Sequence, residues 1–258
     1  MKKLIILLSV IFMVIFVILT MSYTGKKGGK ISTNNIKADE KGFVLMELFT
    51  SQGCSSCPPA DEILGSYTMK NNEHIIPIAF HVDYWNRLGW VDSFSNSKYS
   101  QRQQAYAGKF NLESVYTPQL IINGRKELVG NEQVKIVTIV NSFLKESTAV
   151  TISISDPAIT GNKVFIPYTL SSIQPNTSIN AALIQNHVFT QIKAGENRGE
   201  KLDNYNVVRD FITLRLANAV GKISLQLPKG SMTTDYSIVL FVQEDVSGKI
   251  TGAVKLKL

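Results

Sequence analysis

The sequence is poor in cysteine and histidine, with two of the first and three of the second among 258 residues. Both cysteines lie in one tetrapeptide, Cys54-Ser55-Ser56-Cys57, so no framework of structural disulfides staples the fold. Also absent are a phosphate-binding glycine loop, a dinucleotide fingerprint and the paired-histidine helix of zinc proteases. The first thirty residues contain no acid, yet they hold Lys2, Lys3, Lys26, Lys27 and Lys30. Removing these five from the 27 bases leaves 22 against 20 acids, so the formal charge of +7 belongs mainly to the amino-terminal leader. No clustered basic face is left over, and no nucleic-acid partner is expected.

Residues 4–21, by contrast, form one uncharged and almost wholly apolar run after a Lys-Lys start. Its length approaches the roughly 20 residues that cross a bilayer and exceeds the usual apolar region of a signal peptide. The small-residue triplets near its end, Thr20-Met21-Ser22 and Ser22-Tyr23-Thr24, are poor cleavage sites. Residues 1–24 thus read as a retained transmembrane anchor, with a cleaved signal peptide as the alternative. Either reading places the body outside the cytoplasm, in the periplasm or cell envelope, with the membrane as a partner through this segment. Residues 25–41 are rich in Gly, Lys, Asn, Ser and Thr and read as a flexible linker.

The body changes character near residue 148. From 42 to 147, apolar strand-like runs (43–49, 75–82, 120–122) alternate with helical patterns (59–69, 95–110, 129–144). An Asn123-Gly124 turn of hairpin type follows the third strand. From 148 to 258 six or seven short strands follow one another, separated by turn residues. The expected fold is an α/β thioredoxin-like domain over 42–147, then an all-β antiparallel sandwich-like domain over 148–258.

A C-x-x-C between a strand and a helix has a physical purpose. The unpaired N–H groups and partial positive charge at a helix amino terminus stabilise a thiolate. Cys54, at the loop end, is the natural attacking thiolate, and Cys57, one turn deeper, the natural resolving thiol. A metal site and an inert clip are the alternatives for the same pair. Val115-Tyr116-Thr117-Pro118 precedes a strand, and thioredoxin-like folds place a cis proline beside the dithiol at such a point. A cis Thr117–Pro118 bond leaves the preceding backbone open to an extended substrate; an ordinary strand-opening proline is the alternative.

The stretch 47–61 (ELFTSQGCSSCPPAD) resembles the signature of an uncharacterised bacterial family, domain of unknown function 1223. His81-Val82-Asp83-Tyr84-Trp85 with Leu88-Gly89-Trp90, Gln101-Arg102-Gln103 with Tyr106, and Val115-Tyr116-Thr117-Pro118-Gln119 extend the resemblance. So do Gly195-Glu196-Asn197-Arg198-Gly199 and Val207-Val208-Arg209 in the second half. The resemblance implies a thioredoxin-like fold and an export leader, with no established substrate. Asn86 and Arg87 depart from it, standing where the family pattern more often has Asp and Tyr.

Three further readings attach to this site. Glu47, seven residues before Cys54, is a candidate for the buried acid that takes the resolving cysteine's proton in thioredoxins. Related redox proteins place that acid six residues before the first cysteine, and a one-residue shift reverses the side-chain face. A paired or exposed strand glutamate is therefore the alternative. His81 is expected to act as a base or thiolate partner oriented by Asp83, or simply to bond Asp83 and pin the loop. Tyr84, Trp85 and Trp90 are expected to form an aromatic wall that either seats substrate, with Thr117, or packs as a lid.

The expected activity is thiol–disulfide exchange with a thiol- or disulfide-bearing protein or small thiol, without a cofactor. One alternative is copper(I) binding through Cys54, Cys57 and His81. The other is a non-catalytic interaction module in which the disulfide is only a clip.

Overall fold

The computed structural model describes residues 36–37 and 41–258; the leader and most of the expected linker lie outside the described residues. Among the described residues no helix is long and apolar enough to cross a membrane.

After a two-residue strand, β1 (Ile36–Lys37), the chain enters β2 (Val44–Thr50), every residue of which is buried. Its near-continuous apolar run suits a strand covered on both faces. Helix α1 (Pro58–Met69) crosses over to β3 (Ile75–His81), which runs parallel to β2. Pro58 and Pro59 fit the start of α1 because first-turn N–H groups have no helical partners to lose.

Helix α2 (Ser97–Phe110) is capped by the Asn96 side chain, which accepts from Lys98 N, and stops at Asn111, where φ is 54°. Strands β4 (Gln119–Ile122) and β5 (Lys126–Val129) form the hairpin expected at Asn123-Gly124, both of which have positive φ. Helix α3 (Gln133–Phe143) follows. The rest is strand: β6 (Ile152–Ile154), β7 (Ala158–Thr160), β8 (Lys163–Leu170), β9 (Thr177–Gln191), β10 (Lys201–Arg215), β11 (Val220–Gln226), β12 (Tyr236–Glu244) and β13 (Ile250–Lys257).

These strands do not form a separate sandwich after a separate α/β domain, and the expected fold class is corrected here. Eight strands build one mixed sheet in the order β13-β12-β9-β10-β3-β2-β4-β5. The join is β10, antiparallel to β9 and parallel to β3, with Val207 opposite Ala79. Five strands form a second sheet, β1-β6-β8-β11 with β7 on β8. The sequence concealed this because only the inner ends of β9 and β10 are apolar. Runs such as 181–184 look like short strands, whereas the ladder continues through polar residues for 15 residues in each strand.

Alternation of side chains assigns three cores to the two faces of the large sheet. Val44, Met46, Leu48 and Ala79 face α1 and α3, packing on Leu64, Ile136 and Val140. Farther along, the second sheet covers the strands instead, with Ile179, Leu183, Ile238 and Leu240 against Ile152, Ile166 and Leu225. The opposite face carries Leu45, Phe49, Ile78, Phe80, Ile184 and Phe241, covered by Tyr99 and Tyr106 of α2. Each fully buried side chain of this size contributes about 1.5–3 kcal/mol. The core under α2 is the one that both halves of the chain share, with Phe49 and Phe80 packed among Ile184, Val208 and Phe241.

Candidate functional site

The tip of β2 leads into Ser51-Gln52-Gly53 and then into the cysteine pair. Cys54 and Cys57 are joined in a disulfide with a Cα–Cα distance of 5.5 Å, and no free cysteine remains. Cys57 caps α1, and its carbonyl accepts from Ala60 N and Asp61 N. Both cysteines are fully buried, whereas Ser55 and Ser56 between them are exposed, so Cys54 is not the open thiol that its loop position implied. The Thr117–Pro118 peptide bond is cis, and the Thr117 carbonyl lies 3.9 Å from Cys54 Sγ and 3.5 Å from Ser56 Oγ.

Trp85 joins this group by donating from Nε1 to Thr117 Oγ1 at 2.8 Å. Trp90 donates to Gln52 Oε1 at 3.2 Å, while Leu88 and Val91 stand 50% and 70% exposed beside it. Tyr84 donates from its hydroxyl to Gln103 Oε1 at 3.2 Å and also meets the Thr117 side chain, while burial raises its pKa. Tyr84 and Trp85 thus meet at Thr117, and Trp90 stands on Gln52.

Glu47 does not sit beneath Cys57. It shares a face with Leu45 and Phe49, toward α2, whereas α1 packs on Val44, Met46 and Leu48. Its carboxylate accepts from Arg102 Nε at 2.6 Å and from Tyr106 Oη at 2.5 Å. The Arg102 guanidinium also lies about 5.0–5.6 Å from the rings of Phe80, Tyr106, Phe211 and Phe241. Glu47 is a structural ion-pair partner on the far side of the sheet.

The ionisable group near Cys57 is Asp61, on the same helix one turn later, where i and i+4 side chains neighbour each other. It is 6% exposed and accepts from Thr50 Oγ1 at 3.0 Å. Burial pushes its carboxyl up to about 7, a rise moderated by the charge of His81 and by the Thr50 hydrogen bond.

His81 lies opposite Thr50 in the parallel ladder and is fully buried. Its partner is Asp92 rather than the expected Asp83: His81 Nδ1 and Asp92 Oδ2 are 2.7 Å apart. Asp83 instead accepts from Ser100 Oγ. Burial works against the imidazolium, but the charge and hydrogen bond of Asp92, together with Asp61, raise the His81 pKa above its ordinary value. Burial likewise opposes the Asp92 carboxylate, and His81 with the N–H groups of Gln52 and Phe94 nevertheless holds its pKa below the usual range. His81 Nε2 is buried without a hydrogen-bond partner among the described residues.

The second half of the chain completes the site. Gln52 Nε2 donates to Thr190 Oγ1 of β9 and Asn204 Oδ1 of β10, both at 2.9 Å. The turn between these strands reaches the cysteines themselves. Asn197 Nδ2 donates to the carbonyls of Gln52 and Cys54 at 2.9 and 3.0 Å, and Glu196 Oε2 accepts from Ser55 N at 3.1 Å. Sequence alone assigns no role to Asp61, Asp92 or Gln52, and reads 195–199 only as a structured loop packed on the redox domain, which is where the turn lies. Only Asp61 carried a local signal, its spacing of four from Cys57. Among the described residues, no group of three or more His, Cys, Asp or Glu is placed to hold a metal ion.

Fold and site together define a mixed α/β protein with a buried disulfide at a helix amino terminus, roofed by a β-hairpin turn from the other half of the chain. The chain belongs to the family described as protein of unknown function (DUF1223), whose model matches residues 45–243. Among solved structures it is similar to protein AGR_C_4864 from Agrobacterium tumefaciens, at 28% identity and a TM-score of 0.65 over 85% of this chain and 96% of that one. It is also similar in fold to HBP35 of Porphyromonas gingivalis, at 14% identity and a TM-score of 0.55 over 86% of this chain and 76% of that one. No curated protein matches it.

Proposed function

We propose that the protein is a thiol–disulfide oxidoreductase working outside the cytoplasm. The observation that carries this reading is the Cys54–Cys57 disulfide at the start of α1, with the buried Asp61 carboxyl, pushed up to about 7, one turn beyond Cys57. An inert clip has no need of a buried acid that titrates near neutrality, whereas thiol exchange does. The location rests on the apolar leader, residues 4–21.

In the reduced protein the Cys54 thiolate attacks a substrate disulfide, forming a mixed disulfide and releasing one substrate thiolate. Asp61 takes the proton of Cys57, whose sulfur then attacks Cys54 Sγ. The Cys54–Cys57 bond forms and the second substrate thiolate leaves, so two electrons pass to the substrate. Run backwards, the same steps oxidise a substrate dithiol. The half-exposed rim of Leu88, Trp90 and Val91 suits a protein substrate with an apolar segment flanking its cysteine.

Cys57→Ala removes the resolving thiol and is expected to leave partners trapped as mixed disulfides on Cys54, visible as reductant-sensitive bands on non-reducing gels. The reading fails if no such adducts form and if dithiothreitol releases no thiol from the native protein. Copper(I) binding gains no specific support: among the described residues, no group of three or more His, Cys, Asp or Glu is placed to hold a metal ion.

A further inference from the structure

The turn over the dithiol brings an acid to a place where thiol chemistry would feel it. Residues 193–200 are exposed or half-buried apart from Asn197, which is 6% exposed and bonded to the carbonyls on either side of Gly53. Gly195 and Gly199 have φ of 74° and 95°, in the region that favours glycine, and they shape the turn. Gly199 N donates to Ile192 O and Arg198 N to Gly195 O, closing the turn on itself. A Cβ on Gly195 would meet Trp90 Cβ at 3.1 Å, so the turn is seated against the tryptophan as well. Asn197 therefore positions its neighbour, and that neighbour is Glu196.

The Glu196 carboxylate accepts the Ser55 N–H, just ahead of the amino terminus of α1. Such N–H groups and the partial positive charge of the helix end are what stabilise a thiolate at Cys54. Ser55 N follows Cys54 directly in the chain, so covalent geometry keeps the carboxylate within about 7 Å of Cys54 Sγ. The carboxylate both occupies a donor and adds a like charge, and a like charge disfavours the thiolate. Hydrogen bonds from the Ser55 hydroxyl and N–H hold the Glu196 carboxyl below its usual range, so it is charged at neutral pH.

We infer that Glu196, held in place by Asn197, is a positioning residue that sets the redox poise of the Cys54–Cys57 pair toward a reductant by opposing the Cys54 thiolate. This rests on the thiol–disulfide reading and adds to it a direction of electron flow. When a dithiol such as dithiothreitol reduces the disulfide, two electrons enter the Sγ–Sγ bond and the reagent closes to its own cyclic disulfide. The reduced product carries a Cys54 thiol or thiolate. Destabilising that thiolate disfavours the reduced form and lowers the potential, which makes the protein a stronger donor.

The test is a thiolate titration of reduced protein in a Cys57→Ala background, where Cys54 alone absorbs as a thiolate, comparing Glu196 with Glu196→Gln. Glu196→Gln is expected to raise the Cys54 acid constant about three- to tenfold at low salt. The difference should shrink in 1 M salt, where charges several Å apart are screened. Asn197→Ala keeps the carboxylate but removes its anchor and should move the constant in the same direction. With both cysteines present, Glu196→Gln should raise the reduction potential toward a limit of about 30 mV for a tenfold change at pH above the thiol pKa.

An acid constant in Glu196→Gln within twofold of its parent at low salt, in protein with unchanged circular dichroism, overturns the role of Glu196 and leaves the dithiol chemistry standing. A native protein from which dithiothreitol releases no thiols overturns the thiol–disulfide reading itself, and this role with it.

Discussion

Asp61 and His81 are neighbours with opposite effects on stability as pH changes. Burial pushes the Asp61 carboxyl up to about 7 in the fold from an ordinary value of 3.8 in an unfolded chain, so the folded state holds the proton longer. Stability therefore falls as pH rises between those values, because the carboxylate must ionise in a buried place. Asp61→Asn keeps an acceptor for Thr50 and cannot ionise. It is expected to raise unfolding free energy at pH 8 by about 2–4 kcal/mol, measured by urea denaturation, with little gain at pH 4. In the same variant, thiol exchange should lose its pH dependence near 7; a mutant with the parent's profile would mean that Asp61 takes no proton from Cys57.

The His81–Asp92 pair behaves the other way. His81, raised above 6.5, contributes stability that is fully present below 6.5 and lost as pH rises through its folded value. Asp92, lowered below 3.8, contributes stability present above 3.8 and lost as pH falls through its folded value. The pair is therefore most stabilising between about pH 4 and 6.5. Asp92→Ala strands a buried imidazole and the Gln52 N–H, and should cost about 3–5 kcal/mol at pH 6. A loss below 1 kcal/mol in thermal or urea unfolding at that pH would show the pair to be dispensable.

At the scale of elements, α1 packs on the large sheet and reaches the polar half of β10, where its closest approach is made at Gly65. A Cβ there would meet the Tyr205 ring of β10 at 2.6 Å, and Tyr205 is stacked on His187 with ring centroids 4.7 Å apart. In an exposed helix, Gly→Ala gains about 1 kcal/mol from propensity. Here Gly65→Ala is expected to lose about 1–3 kcal/mol, because the ring must shift or α1 must lift from the sheet. Equilibrium unfolding decides the sign, and a stabilised variant would place Tyr205 away from the helix.

The same contact marks what was legible in the sequence. Helix α1, its prolines, the Asn123-Gly124 hairpin and strands β2 to β4 follow from local pattern, because their apolar period and turn residues are set within a few positions. Cys54 and Cys57 were legible for the same reason, their spacing being local. For Glu47 the paired alternative is the one observed, and its one-residue offset from the usual position of the acid is the local signal for it, since one step along a strand reverses the face. Asp92, Gln52 and Glu196 could not be placed, since their roles arise only where β3, the loop after it and the β9–β10 turn meet. The polar outer ends of β9 and β10 read as loops, although it is those ends that roof the dithiol.

For the whole molecule, the consequence of β10 is that the two halves of the chain should fold as one unit. Residues 42–147 alone would expose the edge of β3 that pairs with β10, with Ala79 no longer opposite Val207. They would also uncover Phe80, which stacks edge-on to Phe211, and leave Arg102 without Gln243. An open apolar edge of this kind invites aggregation. Gln52 would lose Asn204, Thr190 and the Asn197 clamp in the same cut, so the dithiol loop would lose its roof as well. A fragment ending at residue 147 is thus expected to aggregate, or to stay soluble without near-ultraviolet circular dichroism and without a cooperative melt. The described body of the full chain, by contrast, should unfold in one transition, with tryptophan fluorescence reporting Trp85 and Trp90 and far-ultraviolet dichroism reporting the strands at the same midpoint. Two separated transitions, or a fragment that melts cooperatively, would mean that β10 merely rests against β3 and that the cysteine pair is built by the first half alone.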